Sequence, residues 1–169
     1  MMIRAFTAAL AVTIPAPQPV VDFNNFTYRV HPCPSNVPTA AVMSRGTYSY
    51  YDKHMGQGFT VRVKSVTAGS LGTGTHQAAV ILACDFPMGG TAAAYLYDIH
   101  GGAATLLGKI ATANWSADWG AGPDSIHIGF AHDELSVTAC ANAACEKNAL
   151  TRYALRNGKL TIRNSTIMK

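Results

Sequence analysis

The stretch from residue 58 to residue 84, GFTVRVKSVTAGSLGTGTHQAAVILAC, constrains the fold more than any other part of the chain. Apolar and polar side chains alternate over residues 59–64, which is typical of a strand with one face in the core and one in water. A loop with three glycines follows at residues 69–75, and residues 78–84 are an unbroken apolar run containing Val and Ile. Such a run, bounded by turn signals, favours a central strand that is covered on both faces.

The rest of the chain continues with short alternating segments and turn residues. A first strand is predicted at residues 22–30, and two-residue hairpin turns are predicted at the Gly-Gly pair 101–102 and at the Asn-Gly pair 157–158. Residues 112–124, with Gly, Pro and both tryptophans, are interpreted as a loop. About eight or nine strands with short connections predict a mainly β protein whose antiparallel sheet is folded as a sandwich or a partly closed barrel.

The length and the charge of the chain limit the classes of protein to which it can belong. With 169 residues it fits one domain, which we place at residues 20–169. Charged residues make up only 13%, so the chain is not a disordered segment. A net charge of +4 is too small to require a nucleic acid, and no specific nucleic-acid partner is predicted.

The first 19 residues differ from the remainder. Arg4 precedes an apolar run at residues 5–14, and a proline-rich stretch at residues 15–19 ends it. This outline is typical of a secretory signal, although a packed N-terminal helix is the alternative. Ten apolar residues are too few to cross a bilayer, so no transmembrane anchor is predicted.

The four cysteines agree with export to the periplasm or the extracellular space. An even number without metal-site spacing indicates two disulfides, and three pairings are possible. Cys140 and Cys145 flank a short segment that can close as a turn, which leaves Cys33 to pair with Cys84. We favour this pairing over the alternatives, which include four reduced cysteines in a cytosolic protein.

A cationic surface is predicted on the terminal hairpin. With the turn at residues 157–158, the apolar side chains share one face and four cations share the other: Arg152, Arg156, Lys159 and Arg163. Arg156 would then lie opposite Lys159, and Arg152 opposite Arg163. The repulsion between these like charges is mildly destabilising. An acidic surface such as Asp133 and Glu134 would offset this repulsion, or else an anionic protein or envelope polymer would.

The two tryptophans are a second candidate site. Asp118 lies between Trp115 and Trp119, and aromatic rings beside a carboxylate suit sugar binding, although such rings also cover cores. A hydrolase acting on carbohydrate would use Asp118 together with His127 or His132 as acid and base. The scattered histidines predict neither a metal site nor a cofactor.

Residues 70–81, SLGTGTHQAAVI, followed by the tyrosine-bearing segment 95–97, resemble a strand-turn-strand unit found in small exported bacterial proteins, including the actinobacterial LppP/LprE-type lipoproteins. The turn is similar to the FG-GAP-like calcium loop. Ser70, Thr73 and Gln77 occupy the acidic positions of that loop, so no carboxylate remains to bind calcium. The resemblance implies export and the order of strands, and it carries no catalytic residue.

These observations predict a single exported, disulfide-bonded β domain that binds a partner without catalysis. Binding would use the cationic hairpin face or the tryptophan segment. A small carbohydrate hydrolase and a purely structural envelope protein are the alternatives.

Overall fold

The computed structural model describes residues 20–34, 37–116, 122–141 and 145–168. The predicted leader at residues 1–19, and the N-terminal helix that was its alternative, lie outside these residues. Within them the protein is mainly β and resembles a sandwich, which confirms the predicted fold class. No helix in this part of the chain has the length and apolar character needed to span a membrane.

Eleven strands form three antiparallel sheets within the described residues. The two-stranded sheet contains β1 (Thr27–Tyr28) and β2 (Ala41–Val42). The five-stranded sheet contains β3 (Thr47–Asp52), β4 (Gln57–Gly69), β5 (Gln77–Phe86), β6 (Gly89–His100) and β7 (Ala103–Ser116). The four-stranded sheet contains β8 (His127–Ala131), β9 (Glu134–Cys140), β10 (Asn148–Arg156) and β11 (Lys159–Met168). Short 3-10 helices occur at Phe23–Asn25 and Pro123–Ser125.

Each strand of the two larger sheets pairs with its neighbour in sequence. The turn chemistry explains this order, because tight hairpins need residues with positive φ. Gly101 and Gly102 have φ of 56° and 82°, and Asn157 and Gly158 have φ of 51° and 72°. Both predicted hairpin turns are therefore confirmed.

Strand β5 lies at the centre of the molecule, as its apolar run predicts. Its first eight residues are all buried. Ala79 and Ile81 face the core between the two larger sheets, where Leu135 and Val137 of β9 meet them. Side chains on the opposite face of β5 pack against the N-terminal part of the chain. The five-stranded sheet is thus the middle of three layers.

The third layer consists of residues 21–34 and 37–43, here called the N-terminal layer. The strand predicted at residues 22–30 is wrong in most of its length: a 3-10 helix begins at Phe23, and only Thr27–Tyr28 form a strand. The Asp22 carboxylate accepts a hydrogen bond from the Asn24 backbone N–H at 3.0 Å, which favours a turn over an extended chain. Phe23 and Tyr28 are buried against Tyr97 of β6.

The structure contains two disulfides, and both follow the favoured pairing. Cys33–Cys84 joins the N-terminal layer to β5, and Cys140–Cys145 closes the connection between β9 and β10. Disulfide bonds are typical of proteins in oxidising compartments.

Candidate anion-binding face

The four predicted cations lie on the outer face of the four-stranded sheet. Leu155 and Leu160 point inward and pack against the core between the sheets, as the alternation predicts. The opposite face of this hairpin carries exposed cations, which we call the cationic face: Arg152, Arg156, Lys159 and Arg163.

The register of the hairpin agrees with the sequence near the turn and departs from it further away. Arg156 pairs with Lys159 as predicted, but Arg152 lies opposite Asn164 rather than Arg163. A β-bulge next to Tyr153 shifts the pairing by one residue. The predicted Arg152–Arg163 pair is therefore wrong, because the extra residue of a bulge cannot be read from alternation alone.

Glu134 of β9 lies between Arg152 and Arg163. Arg152 Nη1 is 3.6 Å from Glu134 Oε1, and Arg163 Nη1 is 3.7 Å from Glu134 Oε2. The arginine side chains are 45% and 49% exposed, so each ion pair contributes only about 0–1 kcal/mol to stability. Glu134 therefore reduces the repulsion between the arginines, as one of the two predicted explanations requires.

Arg156 and Lys159 have no carboxylate partner among the described residues. In the described part of the chain, one carboxylate, that of Glu134, therefore pairs with cations of this face. Along β10, Arg152 and Arg156 are separated by four residues, which corresponds to roughly 13 Å of strand.

A polar cavity of about 360 Å³ opens beside Arg152 and Arg163. Six residues line it: Ala131, His132, Glu134, Ser136, Arg152 and Arg163. His132 and Asp133, with φ of 50° and 60°, form the turn that joins β8 to β9. The Ser136 hydroxyl donates to the Gly129 carbonyl at 3.2 Å and is held by the sheet. The cavity offers several guanidinium donors to an incoming anion and holds one fixed hydroxyl.

Ser136 was missed as part of this site, although a signal for it exists. Ser136 pairs with Arg152, and directly paired residues share one face of a sheet. The alternation of β9, in which Leu135 and Val137 are buried, already places Ser136 outward. The pairing of β9 with β10 was the missing information.

Trp115 belongs to a strand rather than to a loop. Strand β7 extends to Ser116, so the loop predicted at residues 112–124 is wrong for its first five residues. Trp115 packs against the core between the sheets, and a Cβ placed on Gly90 would be only 2.1 Å from its Cζ2 atom. The indole thus covers the core. Asp118 and Trp119 lie outside the described residues.

Trp115 and His132 lie near opposite ends of the central strand β5. Trp115 pairs with Gly90 of β6, and Gly90 pairs in turn with Asp85 near the carboxyl end of β5. The β8–β9 turn that holds His132 follows Phe130, whose ring lies against Gly69, and Gly69 pairs with Gln77 at the amino end of β5. Gln77 and Asp85, the β5 residues at these two points, are eight residues apart in sequence, which corresponds to roughly 26 Å of strand. These two side chains therefore do not form one pocket.

Among the described residues, no group of three His, Cys, Asp or Glu side chains is placed to hold a metal ion. His127 lies on β8, where its side chain is exposed and its partner is Thr138.

No protein-family model matches the chain, and neither the curated proteins nor the solved structures contain a significant match to it. The candidate function therefore depends on the geometry of the cationic face itself.

Proposed function

We propose that this protein is an exported, non-enzymatic binding protein that attaches to an anionic polymer of the cell envelope through its cationic face. The observation that carries the proposal is the set of four cations on one outer sheet face, of which Arg152 and Arg163 share the Glu134 carboxylate and Arg156 and Lys159 have no carboxylate partner among the described residues. Two disulfides support export, since such bonds persist in oxidising compartments. The resemblance of residues 70–81 to exported bacterial proteins agrees with this.

Arginine suits this role because its planar guanidinium can donate two parallel hydrogen bonds to a carboxylate, sulfate or phosphate group. The cavity beside Arg152 and Arg163 accommodates one such group. Arg156 and Lys159, nearer to the hairpin turn, would contact the next charged group of the same polymer.

A polymer fits this face better than an acidic protein does. Interfaces between proteins usually have a buried apolar centre surrounded by polar side chains. Here Ala154, between Arg152 and Arg156, is small and already buried, and its partner Thr161 is polar. The surface thus offers charge without an apolar anchor.

Charge reversal at the hairpin tests the proposal. We expect Arg156→Glu with Lys159→Glu to weaken binding to heparin, a sulfated polysaccharide probe, by at least about tenfold, because two unpaired cations become anions. Binding is measured by isothermal titration calorimetry at two salt concentrations, and the wild-type affinity should fall as salt rises.

The matched control changes the net charge equally at positions away from this face. Lys53→Glu with Lys147→Glu reverses two exposed lysines in connecting segments and should retain most of the affinity. Equal losses in the two double variants would show a general charge effect and contradict a specific face. Binding of acidic proteins without binding of heparin would contradict the choice of a polymer.

Glu134→Gln provides a test in the opposite direction. The substitution removes the single carboxylate between Arg152 and Arg163 and keeps the side-chain shape, so we expect heparin to bind several-fold more tightly. The same titration measures the change. Unchanged or weaker binding would mean that the cavity beside Glu134 takes no part.

A further inference from the structure

A second cavity lies on the other side of the molecule, between the N-terminal layer and strands β6 and β7. Its volume is about 450 Å³, within the range of roughly 300–1,000 Å³ typical of small-molecule sites. An adjoining cavity of about 140 Å³ shares Arg29, Val30 and Leu106 with it. We call the two together the N-terminal groove.

The walls of the groove are largely apolar. Val30, Pro34 and Val37 come from the N-terminal layer, and Leu106 comes from β7. Leu106 is 40% exposed, so an apolar side chain faces solvent at the opening. The Cys33–Cys84 disulfide and a hydrogen bond of 2.5 Å from the Thr91 hydroxyl to the Pro32 carbonyl hold the outer wall in place.

Two tyrosine side chains line the groove, Tyr95 in the larger cavity and Tyr97 in the smaller one. Tyr95 and Tyr97 are 5% and 3% exposed, and neither side chain has a hydrogen bond to a described residue. Their hydroxyls are not sealed from water, because neither is among the fully buried side-chain atoms that lack a hydrogen bond in the described part of the chain. Burial raises the pKa of Tyr95 to about 12, so this hydroxyl keeps its proton and can donate.

The charges around the groove have one sign. Arg29 and Lys109 line it with exposed side chains, and neither has a carboxylate partner in the described part of the chain. None of the described residues that line it is acidic. Apolar walls, protonated hydroxyls and unpaired cations therefore meet in one place.

We propose that the N-terminal groove binds a long-chain carboxylate, with the acyl chain against Val30, Val37 and Leu106 and the carboxylate at Arg29 and Lys109. The apolar walls favour the acyl chain of such a ligand, and the two cations select a negative head group over a neutral one. The Tyr95 hydroxyl supplies a further donor. This site is separate from the cationic face and does not depend on the function proposed for it.

Titration of the full chain with intact disulfides tests the proposal. Calorimetry should show one dodecanoate bound per protein, with 1-dodecanol at least about tenfold weaker and acetate without measurable binding. Arg29→Gln with Lys109→Gln should weaken dodecanoate by about tenfold or more and leave 1-dodecanol unchanged, because only the carboxylate contacts these cations. Tyr95→Phe should weaken dodecanoate by a few-fold.

The Arg156→Glu and Lys159→Glu double variant is the control, and it should bind dodecanoate as the wild type does. Equal affinity for dodecanoate and 1-dodecanol would overturn the role of the cations. Loss of dodecanoate binding in this control would place the ligand on the cationic face instead. Absence of dodecanoate binding to the wild type would overturn the proposal as a whole.

Discussion

Removal of the Cys33–Cys84 disulfide is expected to lower the free energy of unfolding by about 4 kcal/mol. The bond joins cysteines 51 residues apart, and in the chain-entropy model a loop of this length restricts the unfolded chain strongly. We expect Cys33→Ala with Cys84→Ala to show this loss in urea denaturation. The wall of the N-terminal groove that Cys33 holds should also become more susceptible to proteolysis.

The second disulfide provides the matched control. Cys140 and Cys145 are only five residues apart, so Cys140→Ala with Cys145→Ala should cost about 2 kcal/mol by the same model. An equal or larger loss from the short loop would contradict the entropic explanation. It would show instead that the connection between β9 and β10 is needed for the packing of the four-stranded sheet.

Gly69→Ala is expected to destabilise the protein by about 3 kcal/mol, because it forces the two larger sheets apart. A Cβ at Gly69 would lie 2.1 Å from Cγ and 2.5 Å from Cβ of Phe130 on β8. The Phe130 Cβ is fixed to the backbone, so rotation of the ring cannot relieve the contact. The midpoint of urea denaturation measures the effect.

Gly108→Ala is the control for this substitution. Gly108 also lies within a strand, but a Cβ there would have no atom within 4 Å. The same chemical change should therefore be neutral or stabilise by up to about 1 kcal/mol, since alanine reduces the freedom of the unfolded chain. If both variants lose stability equally, the close approach of Gly69 and Phe130 is not what sets the distance between the sheets.

The parts of the fold that depend on local chemistry were predictable from the sequence. The apolar run of β5 predicts a central strand in any β fold, because an uninterrupted series of apolar side chains must be covered on both faces of the sheet. The Asn157–Gly158 turn likewise fixed the pairing of Arg156 with Lys159. Cys33 and Cys84 paired as expected once the local Cys140–Cys145 bond was considered.

What the sequence left open depends on contacts between distant segments. The bulge beside Tyr153 moves Arg163 out of line with Arg152, and alternation carries no signal for an inserted residue. Residues 112–116 contain small and aromatic residues that resemble a loop, but pairing with β6 makes them a strand. The N-terminal groove involves β6, β7 and a layer with little regular structure, so only the folded chain brings Arg29 close to Lys109.

The three-layer arrangement also has a consequence for the order in which the chain folds. The ribosome makes the N-terminal layer before β5 and β6, yet these two strands build the surface on which the layer packs. Within each of the two larger sheets, every strand after the first can join the one before it as a hairpin, because sequential neighbours pair. We expect Cys140–Cys145 to form within its own short loop, whereas Cys33 must wait for the central sheet before it meets Cys84. The N-terminal layer is thus expected to be among the last parts of the described chain to pack.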